Sequence, residues 1–142
     1  MRFSWILLLL LPSIGLSQDL FSGQWLGSIT QNDGGYRPTY SFEMYLNQNG
    51  KEVTGRSYVY FDDYFAEMEL KGRIKGRTVT FYEVKIVNFE EPEGMVWCMK
   101  KGQLRLRGVK KGYRLEGPWQ GETQFGPCVP GLILLSKVVP RA

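Results

Sequence analysis

The residues of this chain whose types could do chemistry are few: a carboxylate at Glu83, cysteines at 98 and 128, a glutamate cluster at Glu90, Glu91 and Glu93, and a basic run from Lys100 to Arg114. The chain has no His, which excludes Ser-His-Asp and Cys-His catalysis, imidazole metal sites and His-ligated haem. Glu83 lies in an alternating segment whose register turns it inward, beside Met68 and in the row of Ser57 and Phe42. A buried carboxylate must be met by hydrogen bonds or by a cation. Glu83 therefore reads either as the polar handle of a mostly apolar ligand pocket, or as a structural carboxylate satisfied by Ser57, a tyrosine or a Lys or Arg from a neighbouring strand. A glycosidase would need a second interior acid, and the register supplies none. The glutamate cluster, next to Asn88, lacks the ordered ligand series that Ca²⁺ wants. The expectation is a protein that is not an enzyme and that uses neither metal nor cofactor.

The N-terminus adds a compartment. Arg2 precedes an apolar stretch from Ile6 to Leu11, closed by Pro12, with small residues Gly15 and Ser17 ahead of a cut between Ser17 and Gln18. That is the pattern of a secretory signal peptide, and the run is far below the roughly 18 residues needed to span a bilayer. The expected organisation is a leader over 1–17 and one domain over 18–142, secreted or periplasmic. In an exported chain a single pair of cysteines argues for a Cys98–Cys128 disulfide over a redox pair, which prefers C-x-x-C spacing. Seven bases and no acid fall between Lys100 and Arg114: Lys100, Lys101, Arg105, Arg107, Lys110, Lys111 and Arg114. The plain reading is a solvated outer face; a weak contact with an anionic surface is the partner it would suit, and nucleic acid is not expected. The protein is expected to be a monomer.

These groups are positioned by strands. From residue 23 to 138 apolar and polar residues alternate, bounded by Gly or Asp turns, and no segment holds a 3.6-residue period. Eight strands are predicted, at about 23–31, 40–48, 51–61, 64–74, 77–87, 95–107, 113–120 and 131–138, giving an all-β, antiparallel up-and-down meander closed as a small barrel. Two-residue turns at Asn49-Gly50, Asp62-Asp63 and Lys75-Gly76 would set inner rows Leu46–Val53–Gly72–Val79, Met44–Gly55–Leu70–Phe81 and Phe42–Ser57–Met68–Glu83. Glycines 27, 55, 72, 102 and 117 interrupt strands, as bends at barrel corners do; Gly55, Ser57 and Gly72 would also leave interior room. One end of the barrel has tight turns and the other has long loops, the usual place for a binding site. Aromatic residues concentrate toward it: Tyr36, Tyr40, Tyr58, Tyr60, Phe61, Trp97, Trp119 and Phe125. Parity from Leu104 and Leu106 would point Cys98 inward and Trp97 outward, so a bulge at Lys101-Gly102 is predicted, turning Trp97 in.

Gly23-x-Trp25, opening the first strand of such a barrel, resembles the lipocalin and avidin group of calycin-like barrels, and the chain as a whole is similar to bacterial secreted lipocalin-like domains. The resemblance implies a ligand in the barrel mouth and Trp25 packed at the closed end. It lacks a Thr-Asp-Tyr motif and a C-terminal helix. The expected function is an exported binding barrel for a small, largely apolar or aromatic ligand at the long-loop end, with Phe42, Ser57, Met68, Glu83, Trp97, Trp119 and Tyr36 as candidate ligand contacts. The competing reading is a protein-interaction module: Gly23-Gln24-Trp25 also resembles the entry of bacterial metalloprotease-inhibitor barrels. That resemblance implies a secreted protease inhibitor whose residues 18–22 serve the partner and not the fold.

Overall fold

The computed structural model describes residues 19–139, so the leader assigned to 1–17 and its cut lie outside the described residues. The chain is all-β: β1 (Gly23–Thr30), β2 (Thr39–Asn49), β3 (Glu52–Phe61), β4 (Tyr64–Lys75), β5 (Thr78–Glu90), β6 (Met99–Val109), β7 (Gly112–Thr123), a two-residue β8 (Gly126–Pro127) and β9 (Gly131–Lys137). Each long strand pairs antiparallel with its neighbour. The ring closes because β9 pairs with both β1 and β7 while β6 pairs with β7. Eight strands thus form the predicted up-and-down barrel, and β8 is an extra rung in the last loop. Alternation does the sorting: along β2, Tyr40, Phe42, Met44 and Leu46 are buried while Glu43 and Tyr45 face out.

The inner face is the predicted one, but its rows are not. Leu46 opposes Gly55, Leu70 and Glu83, and Met44 opposes Ser57 and Met68. The β2–β3 and β4–β5 ladders are each displaced by two residues from the expected pairing; β3–β4 is as expected. The cause lies in the turns. Asn49 pairs with Glu52 and Lys75 with Thr78, so the turns are Gly50-Lys51 and Gly76-Arg77. Gly50 (φ 63°) and Gly76 (φ 60°) supply a positive φ at the first central position alone, the position that Gly fills in II′ turns. A displacement of two leaves every side chain on its own face, which is why the core was right and the rows were wrong. Two register shifts in β4–β5, at Glu67/Met68 and Glu69/Leu70, change the alignment further up.

The mid-strand glycines do not leave room; they remove an obstacle. A Cβ on Gly55 would lie 1.9 Å from the Tyr45 carbonyl oxygen, and one on Gly117 2.0 Å from that of Gln103. The neighbouring strands' backbones occupy that space, so these positions let the sheet coil tightly. The lower barrel is filled by side chains, including Trp25, Met68, Leu70, Leu104 and Leu135, all 0% exposed.

Residues 19–22 seal the tight-turn end. Phe21 is buried, its carbonyl accepts the Trp25 Nε1–H bond (2.9 Å), and its own N–H donates to the Gln48 side chain (3.2 Å). Ser22 Oγ accepts from the Gln48 N–H at 2.8 Å. The expectation that this segment is dispensable for the fold is therefore corrected: Phe21 is part of the core and Leu20 packs against it.

Candidate functional site

Above this packed floor sits an ion pair wholly inside the barrel. Lys100 Nζ lies 2.9 Å from Glu83 Oε1, with side-chain exposures of 4% and 0%. Ser57 Oγ donates to Glu83 Oε2, and the Lys100 N–H donates to Oε1 at 2.7 Å. The lysine gives a further bond to the Cys98 carbonyl (3.2 Å) and stands 5.8 Å from the Phe42 ring. A buried charge is tolerable only when paired and hydrogen-bonded, and here both members are. Lys100 therefore leaves the basic run assigned to an outer face: it points in, because β6 alternates 100, 102, 104 and 106 toward the core.

The same contact shapes the mouth. The β5–β6 ladder runs from Thr78↔Arg105 to Tyr82↔Lys101 and stops. The next rung would set Glu83 against Lys100, but there the carboxylate takes the Lys100 N–H in place of a main-chain carbonyl. Above it the strands part. β5 continues to Glu90 against β4 alone, and residues 91–98 leave the sheet to fold across the opening. This also corrects the bulge predicted at Lys101-Gly102. The β6–β7 register keeps one offset on both sides of Gly102; Trp97 is buried because β6 begins only at Met99, so residues 95–98 are not bound by strand parity.

Between the loops lies a recess of about 840 Å³. Its walls include Tyr36, Tyr40, Met95, Trp97, Trp119 and Phe125, and it reaches down to Ile29, Val59 and Lys100. Its rings are fixed. Trp97 Nε1–H donates to the Glu90 carbonyl (3.0 Å) and Trp119 Nε1–H to that of Thr30 (2.8 Å). Tyr40, Phe61 and Trp97 form an aromatic cluster with centroids 5.6–6.4 Å apart, within the range in which ring pairs attract beyond their buried area. Burial holds the Tyr40 hydroxyl above its usual 10, against the lowering influence of Arg37, and that hydroxyl donates to Gln31. The Cys98–Cys128 disulfide, Cα–Cα 6.4 Å, joins the 91–98 segment to the last loop. Among the described residues no group of three or more His, Cys, Asp or Glu is placed to hold a metal ion.

The structure divides the seven candidate contacts. Tyr36, Trp97 and Trp119 line the recess. Phe42, Ser57, Met68 and Glu83 are buried below it, where Ser57 and Glu83 spend their polar atoms on each other and on Lys100. Tyr58 and Tyr60 lie toward the open end as expected, but on the outer wall and not in the recess, with parallel rings 6.2 Å apart. Met95 and Lys100 were missed. The signal for Lys100 was parity with Leu104 and Leu106, masked by its place in a run of bases.

No protein-family model, curated protein or solved structure gives a significant match to this chain. Its class rests on architecture: a closed eight-stranded antiparallel barrel, consistent with a lipocalin-like barrel, with a looped, disulfide-clipped mouth.

Proposed function

We propose that this protein is a non-enzymatic binding barrel, exported to the periplasm or beyond, that holds a small, largely apolar or aromatic ligand at its long-loop end. The observation that carries the reading is the recess itself, whose volume falls in the range of small-molecule sites and whose wall is mostly apolar with few convergent polar groups. Lys100 is the polar group at its base. Two of its three ammonium protons go to Glu83 and Cys98, leaving a third for an acceptor on the ligand. The disulfide is compatible with an oxidising compartment. A second reading, a protein-interaction module such as a secreted inhibitor, draws on the exposed rings of Tyr36 and Phe125 at the loop tips (56% and 78% exposed), in place of residues 19–22, whose Phe21 is buried.

The test is a titration of tryptophan fluorescence with a neutral naphthylamine probe. Saturable one-site binding is expected, weakened about tenfold or more by Met95→Trp, which fills the recess. Absence of saturation, or binding indifferent to that substitution, would count against the site.

A further inference from the structure

The two ends of the barrel carry opposite charge. The long loops hold Asp33, Glu91 and Glu93 and the tight turn at that end holds Asp62 and Asp63, with Glu90 and Glu122 on the strand ends beside them, and Arg37 as the cation among them. The tight-turn end is the reverse. The tips of its three hairpins present Lys51, Lys75, Arg77, Lys110 and Lys111, all exposed. The tips are tied into one rim: Ile74 N–H donates to the Lys51 carbonyl and Leu106 N–H to that of Arg77, each at 2.7 Å. Arg73, Arg105 and Arg114 face outward just behind them. Among the described residues none of these eight cations is ion-paired; only Arg107, beside them, has a partner, Glu116. Asp19 and Glu52 are the other acids near this end. The overall charge of +4 hides this separation.

We infer that the tight-turn end docks on an anionic phospholipid bilayer, holding the acidic mouth toward bulk solvent. A flat surface suits the arrangement, because the cations are spread over three tips around a rim and can meet one plane together. A linear polyanion would call for a stripe. The β6–β7 tip also exposes Val109 (41%), an apolar side chain beside Lys110. The eleven-residue β2 spans roughly 35 Å, several times the Debye length of about 8 Å at physiological salt. The acidic end therefore does not cancel attraction at the basic one, and only one orientation is favoured.

The experiment is vesicle co-sedimentation of residues 18–142, which contain the complete barrel and omit the apolar stretch Ile6–Leu11. Binding to phosphatidylglycerol vesicles is expected, falling with salt and absent with phosphatidylcholine. Each basic residue near such a surface changes partitioning about fivefold, so Lys110→Gln/Lys111→Gln should lower it about twenty-fivefold. Lys85→Gln/Lys101→Gln, with the same charge change on the side wall, should leave it nearly unaltered. No binding to anionic vesicles at low salt, equal loss in both double variants, or binding to a sulfated polysaccharide without binding to vesicles would each overturn the inference.

Discussion

Lys100 brings a charge into the barrel interior, and Glu83 with Ser57 makes that tolerable. Removing one member leaves the other charge buried without its partner, so Lys100→Met should cost about 3–5 kcal/mol in urea unfolding. Replacing the trio together, Ser57→Ala with Glu83→Leu and Lys100→Met, should recover part of that loss, since no charge is then left buried, although the main-chain N–H of residue 100 still loses its acceptor. Phe21→Ala should cost about 3–5 kcal/mol, because its ring is buried in the core; a melting temperature left unchanged would restore the idea of a free N-terminal arm. On the outer wall, burial and then the nearby charge of Glu43 push the Tyr60 hydroxyl up to about 12. The folded state therefore favours the neutral phenol. Stability should be level below the ordinary value of 10 and fall as pH rises from there toward 12. Phenolate absorbance should show this tyrosine ionising late while the chain is folded and normally once it is unfolded.

Strands, turns and the disulfide set what the barrel can tolerate. Gly55→Ala must displace the β2 backbone, because its new methyl would meet a carbonyl oxygen at 1.9 Å; a loss above about 2 kcal/mol is expected for such backbone strain. Gly108→Ala, with nothing within 4 Å of the added carbon, should be nearly silent. Cys128→Ser should speed hydrogen exchange around 88–98 and 121–130 and leave 44–56 protected, since the bond clips the mouth and not the sealed end. Uniform acceleration would mean that it stabilises the barrel as a whole. How much of this could be read from sequence follows from the period of a strand. Face assignment survives a two-residue error, so Phe42, Met44, Met68 and Phe81 were placed inside despite misassigned turns. Row assignment does not survive it, and which of Asn49-Gly50 or Gly50-Lys51 forms the turn depends on φ values that residue types leave open. The start of β6 was equally hidden: what ends the β5–β6 ladder is a tertiary bond from Glu83 to a main-chain N–H, and nothing local to residues 95–99 announces it.

At the scale of the molecule, three devices divide the barrel into a sealed floor, a buried ion pair and an open recess. The Phe21–Trp25 packing closes one end. The Lys100–Glu83 pair marks where the solid core stops, and the parted β5 and β6 give the long loops space to surround the recess. A linear run of bases concealed both the lysine that turns inward and the charged rim assembled from three hairpins distant in sequence. The most direct test of the central claim is a map of backbone amide chemical shifts during titration with the neutral naphthylamine probe. The recess predicts saturable shifts confined to residues 91–98, Trp119 and 123–129, with Lys51, Arg77 and Lys111 unmoved. Shifts centred on the tight-turn end or the outer wall, or none at saturating probe, would contradict it.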